Sequence, residues 1–412
     1  MFRAFSKNTI FSGLFFFFVL FSLFITRPFR SAIAADIGTQ NLPMYLVLIV
    51  LVMVAANLIY SYTVSKVQEN RIVTYVYSFL LINMFIFLLC YQVYPDSFIL
   101  RASFYVWYNI FNFFVVAVFW ARTINCFDKE EGKRNYGIIS AFGTFGGWLA
   151  GILVTNFLYD QGEEVSIGLS AISLGCAMFF SSKLSPKKVS AKANIGILME
   201  QVFEQFKQIR LNRNIQYLVS YGFFWTCLST ALYFFNLEII NAYTEDTSRK
   251  VQIFSFADNI VLPLTLFFQA SSILILTNKR LGLSFVLGLY GIFFAISFTL
   301  MSLHFSQLLL PASGIILFYI ISLFQRPYEY GLNKPAREVA YTTLSKTEKY
   351  KSTVIIDTLI NRSGDASGGI LFNMIISFGI ILYAAPLLML PLAGILVFIG
   401  IRIANRVEIV KK

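Results

Sequence analysis

SKLSPKKVSAKANIGILMEQVFEQFKQIRLNRN, residues 182–214, is the one long polar interruption in an otherwise apolar chain. Six apolar runs precede it, near 9–34, 42–62, 72–93, 98–126, 135–158 and 164–181. Six more follow, near 215–240, 252–277, 281–303, 308–341, 353–378 and 382–403. Each approaches the roughly 20 apolar residues that an α-helix needs to cross a bilayer. The runs are continuously apolar, whereas barrel strands alternate over about 10 residues. Helices also satisfy their own backbone in lipid, which open sheets cannot do. The expected fold is therefore an all-α integral membrane protein of about twelve transmembrane helices in two six-helix halves. The halves are 1–181 and 215–412, joined by the linker 182–214. Within the linker, Ile195, Leu198, Val202, Phe206 and Ile209 recur at three- and four-residue steps, which suits an amphipathic helix on the membrane surface. Two six-span halves around a linker form the outline of a two-half transporter.

Composition excludes several classes. Only 13% of the residues are charged and 57% are hydrophobic, against about 25% charged in soluble domains, so the chain cannot coat a water-facing surface. It has a single histidine, His304, which rules out a histidine-based metal site. No phosphate-binding loop of the ATPase type and no nucleophile–histidine arrangement occurs. No enzyme activity, cofactor or metal is expected. Cys90, Cys126, Cys176 and Cys227 lie in or beside apolar runs without paired spacing and read as packing residues. The first run continues into further spans and lacks a small-residue cleavage site, so it is not a cleavable signal peptide.

The net charge of +12 follows topology. Arg3, Lys7, Lys66, Arg71, Arg122, Lys129, Lys133, Arg134, the basic linker, Lys279, Arg280, Lys346, Lys349, Lys351 and the C-terminal Arg402, Arg406, Lys411 and Lys412 fall on one side. By the positive-inside rule that side is cytoplasmic and holds both termini. The expected location is the cell (inner) membrane, with the lipid bilayer as partner and no nucleic acid.

Charge inside the spans is the sharper signal, because an ionised group at mid-helix costs at least about 2.5–3.5 kcal/mol on insertion scales. Candidates are Arg27, Arg30, Asp36, Glu238, Asp258, Arg326, Glu329, Lys334, Arg337, Glu338, Asp357, Arg362 and Asp365. Blander readings stand beside them. Span one could end near Ile25 and let both arginines snorkel; span ten could end at Gln325; Asp357, Arg362 and Asp365 could be a structural ion-pair set. The planar guanidinium fork suits phosphate and carboxylate, so Arg27, Arg30, Arg326 and Arg362 are the expected contacts to an anionic solute. Glu238, Asp258, Glu329, Arg337, Glu338, Asp357 and Asp365 would be charge partners or coupling sites, protons included. An internal repeat relates ARTINCFDKEEGKR (121–134) to AREVAYTTLSKTEKYK (336–351). Both place Ala-Arg before a K-x-E loop and a glycine-rich span, making Lys129, Glu131, Lys346 and Glu348 gate-loop candidates. Gly143 and Gly147 in span five, and Gly364 and Gly368 in span eleven, would let helices approach closely, whether to slide or simply to pack.

The block KPAREVAYTTL…YKSTVIIDTLINRSGD (334–365) resembles the ATP/ADP translocases of plastids and intracellular bacteria and, more closely, their bacterial relatives. Pro335, Arg337, Glu338, Ala340 and Tyr341 match one family pattern; Asp357, Arg362 and Gly364 match another. RPFR (27–30) resembles the span-one pattern, with Arg30 where the nucleotide carriers have a functional lysine. STALYFFNLE (229–238) and NKRLG (278–282) are less specific. The chain departs from the nucleotide carriers in span four, where Tyr108, Asn109 and Asn112 replace an acid, and at Asp365, where they tend to have lysine. The resemblance implies a major-facilitator-like fold and a secondary active transporter working by alternating access, with an organic anion such as a nucleotide in ATP/ADP-type exchange. The alternatives are a proton-coupled carrier of another organic solute and a non-transporting membrane scaffold or regulator.

Overall fold

The computed structural model describes residues 6–185, 212–277, 282–308, 313–344 and 356–411. The amphipathic helix expected over 195–209 lies outside the described residues. The helices are α1 Lys7–Ile37, α2 Leu42–Lys66, α3 Glu69–Val93, α4 Phe98–Ile124, α5 Lys129–Leu153, α6 Glu163–Ser182 and α7 Arg213–Tyr243. They continue as α8 Thr247–Thr277, α9 Gly282–Phe305, α10 Ser313–Tyr328, α11 Lys334–Ala340, α12 Asn361–Ser377 and α13 Leu390–Lys411.

Among the described residues ten helices are long and apolar enough to cross a membrane, and the chain is a multi-pass membrane protein. The two remaining expected spans are interrupted rather than absent. Span ten, read as one run over 308–341, consists of α10, a π turn at Glu329–Asn333, and α11. Span eleven opens with a π turn at Ile356–Ile360 before α12. A third π turn, Val154–Leu158, follows α5. Such turns give the backbone one extra residue per turn, and hydropathy does not register them. Span twelve begins with the 3₁₀ turn Ala385–Met389, carrying Pro386, and runs on to Lys411.

Contacts gather the chain into two compact units that are not its two contiguous halves. The first holds the described residues up to Ile37, from Leu51 to 185 and from Thr244 to Pro263; the second holds Gly38–Val50, 212–243 and the described chain from Leu264. Helices α2 and α8 therefore each begin in one unit and end in the other.

In the first unit α1 packs on α4, α5 and α6. Glycines on α5 allow this. A Cβ at Gly146 would meet the Phe17 carbonyl, one at Gly147 would come within 2.9 Å of the Phe24 ring, and one at Gly143 would strike Phe16. Serines join α1 to α6: the Ser22 and Ser170 hydroxyls are 2.7 Å apart and Ser173 Oγ donates to the Phe18 carbonyl at 2.7 Å. Such interhelical bonds contribute about 0.6–2 kcal/mol each in lipid. Phe16 stacks on Phe119 at 4.1 Å, and Ile25, Phe29, Ala32, Ala150, Val154 and Val251 form a buried cluster. On α3, Phe79, Ile82, Ile86, Leu89 and Val93 are exposed at three- and four-residue steps, a stripe suited to lipid.

In the second unit α7 packs on α12 and α13, and α9 on α13. A Cβ at Gly368 would meet the Cys227 carbonyl and one at Gly364 the Thr226 hydroxyl. Gly291 and Gly400 do the same for α9 and α13, within 2.8 Å of the Ala393 carbonyl and 2.7 Å of the Leu287 carbonyl. Phe235 meets Phe372 at 4.9 Å and Tyr290 stacks on Tyr328 at 5.3 Å. All four cysteines are thiols without a disulfide bond; Cys126 and Cys227 are buried, while Cys90 and Cys176 are only half-buried.

Candidate functional site

Helix α1 continues to Ile37, twelve residues past Ile25. Arg27 and Arg30 stand within it, three residues apart and half-buried. Arg27 Nε lies 3.8 Å from Asp258 Oδ2 on α8, with its guanidinium over the Phe24 ring at 4.9 Å. Arg30 donates to Asn109 Oδ1 on α4 at 3.0 Å and lies 4.8 Å over Tyr105. Asn109 also donates to the Tyr105 carbonyl at 2.8 Å, which fixes its amide. The first unit thus holds two arginine forks on one helix face, one beside an acid and one beside an amide.

Nearer the C-terminal end of α1, Asp36 gathers three donors. Arg101 Nη2 reaches it at 2.9 Å, Lys250 Nζ at 2.8 Å and Thr247 Oγ1 at 2.8 Å. Arg101 Nε also bonds Glu163 at 3.0 Å. The cluster ties α1, α4, α6 and the first turn of α8 at one end of this unit. Beside the π turn after α5, Thr155 accepts from Asn259 Nδ2 at 2.8 Å and lies 2.9 Å from Ser255 Oγ. Trp148 Nε1 donates to the Asn259 carbonyl at 3.1 Å.

The second unit is organised around the π turn in span ten. Glu329 is buried; its Oε1 accepts from Arg337 Nη2 at 2.6 Å and its Oε2 from Asn333 Nδ2 at 2.6 Å. Tyr221 on α7 donates to Asn333 Oδ1 at 2.7 Å, and Arg337 stacks over Trp225 at 4.8 Å. Span ten therefore does not end at Gln325. Arg362 bonds Asp365 at 3.1 Å, and Thr230 donates to the same carboxylate at 2.9 Å. Glu238 accepts from Thr39. Arg326 is half-buried and Glu338 exposed, and both engage other residues.

The gate-loop candidates fare differently. Glu131 lies in the first turn of α5, not in a loop, because it caps the helix: the Asp128 N–H donates to Glu131 Oε2 at 3.2 Å. Lys129 begins that helix, but its side chain lies outside the described residues, as does that of Asp357; Lys346 and Glu348 lie outside them altogether. The two Ala-Arg pairs of the repeat do correspond in position, with Arg122 in the last turn of α4 and Arg337 in the last turn of α11. No group of three His, Cys, Asp or Glu that could hold a metal occurs among the described residues.

Reading the sequence missed Asn333 as a partner of Glu329, Tyr221 as the donor to Asn333 and Trp225 as the ring beneath Arg337. Asn333 carried a signal, standing four residues from both Glu329 and Arg337; the two aromatics, on a distant segment, carried none.

No family model matches the sequence, and no curated protein does. Solved structures do. A variant of the nucleoside transporter NupG superposes with a TM-score of 0.68 at 13% identity, covering 96% of this chain and 98% of that one. The peptide-transporter-family (POT) protein PepTSo gives 0.68 at 10% identity, covering 99% of each. A bacterial homolog of the human lysosomal transporter Spinster, in an inward-facing and unoccupied conformation, gives 0.59 at 14% identity over 98% and 97%. The chain shares the fold of these solved transporters.

Proposed function

We propose that this chain is a secondary active transporter that works by alternating access and carries a small organic anion, a nucleotide being the first candidate. The observation that carries the reading is the pair of arginines on α1, inside a fold shared with nucleoside and peptide transporters. Arg27 and Arg30 are stacked on aromatic rings and only half-buried, so their forks are oriented while still reachable. Two oriented forks three residues apart match the spread of oxygens on a phosphate or carboxylate. Arg362, with Asp365 beside it, is the second unit's nearest counterpart. The proposed setting is the cell inner membrane with both termini cytoplasmic, from the one-sided distribution of lysine and arginine.

The test is uptake of labelled ATP and ADP into proteoliposomes preloaded with nucleotide, wild type beside Arg30→Ala. Uptake that needs the preload and vanishes in Arg30→Ala supports anion exchange at this site. No uptake by folded wild-type protein removes nucleotides as the solute.

The buried Glu329 favours a second reading, proton coupling. A carboxylate at mid-span, held by an amide and an arginine, is the arrangement proton relays use in membrane proteins. Accumulation abolished by an uncoupler, together with exchange that persists in Glu329→Gln, would select this reading over strict exchange.

A further inference from the structure

The second unit holds a cavity of about 610 Å³ lined by Arg213, Asn214, Tyr217, Phe398, Arg402, Asn405 and Arg406. It lies where α7 begins and α13 ends, and the charged groups described above are not among these lining residues. Three of its residues are arginines, and among the described residues no acidic side chain lines it. Two of the guanidiniums are already oriented. Arg402 lies 4.9 Å over the Phe398 ring, and Arg406 lies 5.4 Å over Tyr217 while donating to Asn214 Oδ1 at 2.9 Å. Stacked forks with amide donors beside them suit a phosphate group with several oxygens to satisfy.

What distinguishes this cavity from a site for a free anion is its apolar wall. Along α13, Ile395, Phe398, Arg402 and Asn405 share one exposed helix face. Ile395 and Phe398 are 40% and 53% exposed, as lipid-facing residues of a membrane helix are. The face thus passes from hydrocarbon-seeking side chains to guanidinium within two turns. The close contact of Gly400 with Leu287 on α9 holds the opposite side of α13 against the unit, so this face is fixed outward.

We propose that this cavity is a binding site for the headgroup of an anionic phospholipid, with the phosphate held by Arg402, Arg406 and Arg213 and the upper acyl chain lying along Phe398 and Ile395. Arginine pockets between helices at the membrane surface are suited to such headgroups. The site is independent of the solute and does not rest on the transport reading.

The test is native mass spectrometry of the detergent-purified full chain titrated with phosphatidylglycerol, phosphatidylcholine or sn-glycerol 3-phosphate. The variants are Arg402→Ala/Arg406→Ala and Arg402→Lys/Arg406→Lys, with circular dichroism to establish folding. The expected result is preferential retention of phosphatidylglycerol by the wild type, weakened about ten-fold or more by the double alanine change and partly kept by the double lysine change. Equal retention of phosphatidylcholine, or phosphatidylglycerol binding unchanged in a folded double alanine variant, would overturn the proposal. Glycerol phosphate competing as strongly as the lipid would also overturn it, by assigning the site to a soluble phosphate.

Discussion

Arg337 and Glu329 are eight residues apart and meet at 2.6 Å with both side chains nearly buried. An α-helix would separate their backbones by about 12 Å. The π turn lies between them, and Arg337 reaches back along the helix toward its N-terminal side, the direction in which helical side chains point. Asn333 occupies the intervening step and bonds the other carboxylate oxygen.

Removing one partner of this pair leaves a buried charge without its counter-ion. Glu329→Gln or Arg337→Ala should each lower stability by about 3–5 kcal/mol, and Glu329→Leu/Arg337→Leu by much less than their sum. Unfolding of the purified protein in detergent checks this; a double-variant loss equal to the sum of the two single losses would count against a coupled pair.

Asp36 should be coupled to Lys250. A double-mutant cycle with Asp36→Asn and Lys250→Met should give a coupling of about 1–3 kcal/mol, since the pair is 2.8 Å apart and Lys250 is buried. A cycle of Asp36→Asn with the exposed Arg249 should give a coupling near zero.

Glycines should divide by what lies opposite them. Gly368→Ala sets a methyl against the Cys227 carbonyl, which is backbone and cannot move aside, so a loss of about 1–3 kcal/mol is expected. Gly168→Ala meets nothing within 4 Å on α6 and should be neutral or stabilising by up to about 1 kcal/mol. Thermal midpoints of the two variants beside wild type decide the sign.

At Arg30 the shape of the cation should matter as well as its charge. Arg30→Lys keeps the charge but loses the fork that holds Asn109 and stacks on Tyr105, so uptake of an anionic solute should fall about ten-fold or more. Uptake unchanged in Arg30→Lys would mean that a point charge is sufficient there.

Much of the fold was legible because lipid imposes it: spans must be apolar for their whole length, and no soluble surface competes for those residues. Intramembrane charge was legible for the same reason, which is why Arg27, Asp258 and Glu329 stood out. Their neutral partners were not. The Arg30 contact Asn109, the Glu329 contact Asn333 and the Asn333 contact Tyr221 are neutral side chains, and nothing in the sequence ties them to those charges. Glu131 was misplaced as a loop residue because a capping acid and a gating acid look alike in sequence. Arg213, Arg402 and Arg406 were counted only as topology signals, and their gathering around one cavity depends on how α7 packs against α13.

Three π turns follow or interrupt the helices of spans five, ten and eleven, and each amounts to one surplus residue in a helix. Beyond such a surplus every side chain is rotated by about 100° from where an uninterrupted helix would carry it. In span five the surplus comes at the C-terminal end, in span eleven at the N-terminal end. An ungapped alignment of the two spans therefore pairs positions that face different ways over the stretch between the two turns. Any comparison of the two spans is better made through the helix segments on either side, with a one-residue gap admitted at each turn. Deleting that residue from one turn would re-aim everything after it without changing the composition of the span.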